Sequence, residues 1–114
     1  MEASGNKYEL FLLPRAEADV NGILQFLAER SQQGALRWLE RWNEVLDLPR
    51  AEPLASGLAP ESSEYECEIR QTLFKTRRGR VYRALFTVVG RGVYVLNVRG
   101  PGQNLVKRHR TSGR

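Results

Sequence analysis

Arg70, Arg83 and Arg99 are the side chains of this sequence whose type and spacing best suit chemistry. A guanidinium stays charged at any accessible pH, and its planar fork matches a phosphate or carboxylate through two parallel bonds. Three such groups on one surface would hold an anion and stabilise charge that builds up during a reaction. They sit in a segment of one sign. From Ile69 to Arg114 there is no acidic residue against twelve Lys and Arg, whereas the first 68 residues hold all thirteen carboxylates against six bases. The formal net charge of +5 therefore conceals halves of −7 and +12. Charge segregated in this way costs self-repulsion and attracts polyanions or an acidic partner, nucleic acid first among them.

Convergence of the three depends on strand alternation. Val81–Val89 and Val93–Val98 are β-rich runs joined by Gly90-Arg-Gly92, whose glycines can take the positive φ of a hairpin. Their even positions, Tyr82, Ala84, Phe86, Val88, Tyr94, Leu96 and Val98, are apolar and are expected to meet the core. The odd positions Arg83, Thr87, Asn97 and Arg99 then face away. Tyr65–Leu73 also alternates, with Tyr65, Cys67, Ile69, Gln71 and Leu73 on one side and Arg70 and Thr72 on the other, so Arg70 is expected to join the same surface. If the loop pairs Val89 with Val93, Arg83 falls directly opposite Arg99. Like charges so placed destabilise a sheet. Two readings follow: an anion normally lies between the two guanidiniums, or both splay into solvent. The adjoining loop Lys75-Thr-Arg-Arg-Gly-Arg80 adds Lys75, Arg77, Arg78 and Arg80, as a solvated turn or as contacts to a nucleic-acid backbone. Asn97, Gln103 and Lys107 complete the candidate nucleic-acid contacts.

The elements that must position these residues are legible as patterns. Tyr8–Leu13 is a short apolar strand stopped by Pro14, which suits the first turn of a helix. Ala16, Val20, Ile23, Leu24 and Leu27 recur on one helical face, predicting a helix over 14–32. A second stripe, Ala35, Trp38, Leu39, Trp42, Val45 and Leu46, follows Gly34 so closely that the two helices must form an antiparallel hairpin. Pro49, Pro53, Gly57 and Pro60 mark 48–63 as a packed loop. The order β-α-α-β-β-β predicts an α+β domain in which the helical hairpin covers one face of a mostly antiparallel sheet of about four strands and the other face is open. A chain of 114 residues makes one domain, large enough to bury about two-thirds of its unfolded surface. The domain is expected over 7–106, with 1–6 a flexible start and 107–114 a basic flexible tail.

Other residues point less sharply. Trp38 and Trp42 fit the apolar stripe as core, with a partner-binding groove as the alternative. Cys67, the single cysteine, excludes an internal disulfide, fits a reducing compartment and reads as a small buried hydrophobe. His109 reads as a solvated tail residue or as a proton shuttle. The sequence offers no phosphate-binding glycine loop, no nucleophile motif and no metal-ligand cluster, and its basic half lacks the carboxylates a hard cation needs. No cofactor or metal is expected. Without a signal-peptide core or a long apolar run, the cytoplasm is the default compartment, with no membrane contact.

The strings Tyr8-Glu-Leu-Phe-Leu-Leu-Pro-Arg-Ala-Glu-Ala-Asp-Val20, Ala35-Leu-Arg-Trp-Leu39, Ile69-Arg-Gln71, Val81-Tyr-Arg-Ala-Leu-Phe-Thr-Val88 and Val93-Tyr-Val-Leu-Asn-Val-Arg99 resemble the RelE/ParE superfamily of toxin–antitoxin toxins, the plasmid-stabilisation type. The resemblance spans about 7–106. It implies a type II toxin that inhibits growth, made beside an antitoxin whose acidic or amphipathic segment wraps and neutralises it. RelE-like members act at the ribosome and cut messenger RNA without a metal, through arginines and lysines on the sheet and a His or Tyr near the last strand; ParE-like members poison DNA gyrase. Arg70, Arg83 and Arg99 match the cationic positions, so the resemblance implies a catalytic set and places an mRNA interferase slightly ahead of a gyrase inhibitor. After the last strand this sequence reads Gly100-Pro-Gly-Gln103. Either Gln103, Lys107 or His109 supplies the proton transfer, or the chain does not cleave RNA and acts on gyrase or as a basic binding module.

Overall fold

The computed structural model describes residues 8–76 and 79–100. Strand β1 (Glu9–Leu12) leads into α1 (Pro14–Ala28), α2 (Gln32–Val45) and the short α3 (Asp47–Ala51), and then into β2 (Arg70–Phe74), β3 (Tyr82–Val89) and β4 (Gly92–Arg99). Pro14 opens α1 where its missing N–H leaves no bond unmade. The first helix stops at Ala28, earlier than periodicity alone predicts, because Ser31 caps the next one: its Oγ accepts from the Gly34 amide at 2.9 Å.

Among the described residues the strands form one mixed sheet in the order β1-β4-β3-β2, with β1 parallel to β4 and the remaining pairs antiparallel. The α+β order read from the sequence is the order observed. The hairpin helices α1 and α2 lie toward one face. Ala16 and Val20 of α1 and Trp38, Trp42 and Val45 of α2 pack there on Phe74, Ala84, Phe86, Val93, Val95 and Val98. At its centre Trp38, Trp42, Phe74 and Tyr82 stack with ring centroids 5.5 to 5.9 Å apart. Offset and edge-on aromatic contacts of this kind add to the gain from area alone.

The hairpin realises the expected pairing by a different route. Val89 pairs with Gly92 rather than Val93, across a two-residue turn whose Gly90 has φ 60°. That slips the register by one. An irregularity between Leu85 and Phe86 leaves Leu96 as an extra residue in β4 and restores the pairing, so that Arg83 lies opposite Arg99 after all. On the near side of the bulge Val93 and Val95 face the helices, in place of Tyr94 and Leu96; beyond it Val98 does, as expected.

The second face is not open. The 48–63 segment is packed as its composition implies, with Pro49, Pro53, Ser56, Ala59 and Glu61 buried. It folds into α3 and two 3-10 turns, Pro53–Ala55 and Pro60–Glu64. Gly57 and Ala59 bond along the outer edge of β2, through Gln71 N–H to Gly57 O at 3.0 Å and Ala59 N–H to Ile69 O at 2.7 Å. Covering that edge blocks pairing with another chain. Beneath it Ala59, Ile69 and Leu85, with Leu96 against them, form a second small core. The alternating run Tyr65–Leu73 therefore contributes a strand only from Arg70, because residues 65–69 turn to join this cover; Cys67 is exposed there, not buried. Among the described residues no helix is long and apolar enough to cross a membrane.

Candidate functional site

Arg83 and Arg99 stand side by side on β3 and β4, on the face away from the helices, with Asn97 and Thr87 sharing that face. Arg70 does not join them. It pairs with Phe86, a helix-side residue, whereas Leu73 pairs with Arg83, so Arg70 projects from the other face of the sheet. Its Nη1 donates to the Ser56 carbonyl at 2.6 Å and its Nη2 to Glu68 Oε1 at 3.0 Å, tying the cover segment to β2.

The anion that two opposed guanidiniums call for is partly built into the chain. Glu61, 2% exposed, presents both carboxylate oxygens to Arg83, accepting from Nη1 at 3.1 Å and Nη2 at 2.7 Å. Gln71 Oε1 accepts from Nη1 as well, at 3.0 Å. This bidentate fork is the strong geometry for such a pair, and it takes up much of the donor capacity of Arg83. Arg99 differs: its Nε is buried with no acceptor among the described residues. Sequence reasoning missed Glu61 altogether. The available signal was the combination of a loop expected to be packed and a like-charged pair in need of a counter-charge.

Lys75 and Arg80, the described bases of the 75–80 loop, lie elsewhere. Lys75 is exposed and its carbonyl accepts from Arg41 Nε at 3.3 Å, while Arg80 lines a cleft of about 870 Å³ at the tip of the helical hairpin. Phe26, Leu27, Arg30, Arg37, Trp38 and Tyr82 line the same cleft. Burial pushes the Tyr82 phenol above its ordinary pKa, an effect that the charge of Arg80 partly opposes. Arg77, Arg78, Gln103, Lys107 and His109 lie outside the described residues, as do the expected flexible ends. Among the described residues no cluster of His, Cys, Asp and Glu could hold a metal ion.

No family model matches the sequence, and no curated protein does. Among solved structures, a chain of the chromosomal ParDE TA system from P. aeruginosa shares the fold with a TM-score of 0.63 at 19% identity, over 82% of this chain and 96% of that one. The likeness is one of fold, and it agrees with the fold that the sequence motifs imply.

Proposed function

We propose that this chain, which carries the RelE/ParE toxin fold, is the growth-inhibiting toxin of a type II toxin–antitoxin pair and that it acts on DNA gyrase. The observation that carries the choice of target is the state of the arginines. Metal-free RNA cleavage needs a base for the 2′-hydroxyl, free cations for the charged transition state and an acid for the leaving oxygen. Arg83 is held by Glu61 and Gln71, and Arg70 projects from the other face. The cationic set that the resemblance implied does not assemble, which weakens the nuclease reading. The likeness to a chain of a ParDE system supports the same direction. Neutralisation would fall to an antitoxin carrying an acidic or amphipathic segment, complementary to the +12 half of the sequence.

One observation favours a second reading, the ribosome-dependent endoribonuclease. Arg99, beside Arg83 and with no acceptor for its Nε among the described residues, still offers one charged donor on the sheet face. Two assays separate the readings. Purified protein is expected to inhibit supercoiling by DNA gyrase and to leave message intact on programmed ribosomes. Normal supercoiling together with cut message would replace the gyrase reading by the nuclease one, and inactivity in both assays would leave a basic binding module.

A further inference from the structure

We propose that the cleft at the tip of the helical hairpin is a docking site for an acidic peptide segment that inserts an apolar side chain and sets its carboxylates on Arg30, Arg37 and Arg80. The site is separate from the Arg83–Arg99 face. The proposal rests on the reading above only in assigning the segment to the neutralising protein partner. Two features of the cleft argue for this occupant. Its rim carries three exposed arginines, from the turn after α1, from α2 and from the strand connection before β3, with no carboxylate among its lining residues. Its lining also presents apolar side chains, Phe26, Leu27 and Trp38, with the ring of Tyr82.

Arginine side chains only donate. A site made of such donors beside apolar surface selects a ligand that accepts hydrogen bonds, carries negative charge and also has an apolar body. A peptide of acidic and large aliphatic residues has all three properties, since its carbonyls and carboxylates accept.

Nucleic acid fits less well. Single strands bind by stacking bases on free aromatic faces, and the faces here are taken: Trp38 stacks on Trp42 at 5.9 Å and meets Tyr82 edge-on at 5.5 Å, and the Arg30 guanidinium lies 4.1 Å over the Phe26 ring. Phosphates could still meet the rim, but the bases would find no platform. The volume, about 870 Å³, accommodates large side chains together with a stretch of main chain.

The test uses the full chain and a short synthetic peptide of glutamates interspersed with leucine and phenylalanine, beside a counterpart with lysine for glutamate and a single-stranded oligonucleotide. Binding is read from the two indole N–H resonances of the ¹⁵N-labelled protein and from fluorescence anisotropy. The acidic peptide should move the Trp38 resonance more than that of Trp42, and the lysine peptide should leave both in place. Arg37→Glu/Arg80→Glu should weaken the acidic peptide by about tenfold or more, with the remaining affinity less sensitive to salt. If the reversed variant loses its near-ultraviolet aromatic spectrum, Arg37→Gln/Arg80→Gln serves instead, with a smaller loss expected. An unmoved Trp38 resonance, undiminished binding by the folded variant, or displacement of the peptide by the oligonucleotide would overturn the proposal. Growth inhibition by the wild type is scored separately, so a harmless chain that still binds the peptide refutes the toxin reading and leaves the cleft standing.

Discussion

Glu61 and Arg83 form a two-bond ion pair across the sheet face, at 3.1 and 2.7 Å, with the carboxylate 2% and the guanidinium side chain 17% exposed. Removing one member of a pair this deep strands the other, at a cost of about 3–5 kcal/mol, whereas an apolar replacement of both is often neutral. Arg83→Ala alone and Glu61→Ala alone should therefore each destabilise strongly in urea titrations, and Glu61→Leu/Arg83→Met should recover most of the loss. The double variant also separates structure from function. It should still inhibit growth, because the proposed activity does not use the Arg83 charge; a folded double variant that is harmless would return Arg83 to the functional site.

Arg99 gives the opposite expectation. It lies against a like charge at the paired position, and its buried Nε has no acceptor among the described residues. Both features oppose folding, so Arg99→Ala should leave stability unchanged or raise it by up to about 1 kcal/mol. Chemical unfolding measures this directly. A clear drop in the urea midpoint would reveal a contact that holds Arg99 in place.

The two arginines also show how far the sequence could be read. Alternation placed both on one face and paired them correctly, although the turn is one residue shorter than expected and the extra residue at Leu96 compensates. Two such errors cancel in register but not in facing, which is why Val93 and Val95, not Tyr94 and Leu96, reach the helices. The helices themselves were plain, since Trp38 and Trp42 sit four apart on one stripe. What periodicity cannot carry is the route of an irregular segment. Nothing local to Glu61 signals a partner 22 positions away, and the turn over 65–69 depends on tertiary bonds such as Ile69 N–H to Ser62 Oγ at 2.9 Å. Arg70 was misplaced for the same reason: in Tyr65–Leu73 the alternation is real, but the core-side residue at the end of β2 is Phe74, one beyond that run.

Tyr82 makes stability depend on alkaline pH. Burial raises its phenol above the usual 10.0, with Arg80 pulling the other way. The neutral form is the one folding favours. Its contribution is complete below about pH 10, the unfolded value, and is lost as pH rises through the higher folded value. Tyr82→Phe should flatten that alkaline decline in a pH series of urea midpoints. Arg80→Gln should move the tyrosinate absorbance transition of Tyr82 higher still, since it removes the charge that favours the phenolate; a shift to lower pH would contradict the assigned cause.

Asp19 tests how α1 is fixed to the sheet. β1 ends at Leu12, so on the outer edge of β4 the Val98 amide has no strand beside it among the described residues. Asp19 Oδ2 accepts from that amide at 2.9 Å, supplying from a helix the bond that a longer strand would have made. The contact lies next to Arg99 in sequence and so also fixes the strand end that carries it. Asp19→Ala leaves a part-buried donor unpaired and should cost about 1–3 kcal/mol. Asp19→Asn keeps an acceptor oxygen and should cost less. Amide exchange at Val98 should accelerate in the alanine variant while exchange at Leu13, whose amide donates to the Val95 carbonyl at 3.0 Å, changes little. Equal acceleration at both positions would mean that Asp19 stabilises the whole edge and not this one amide.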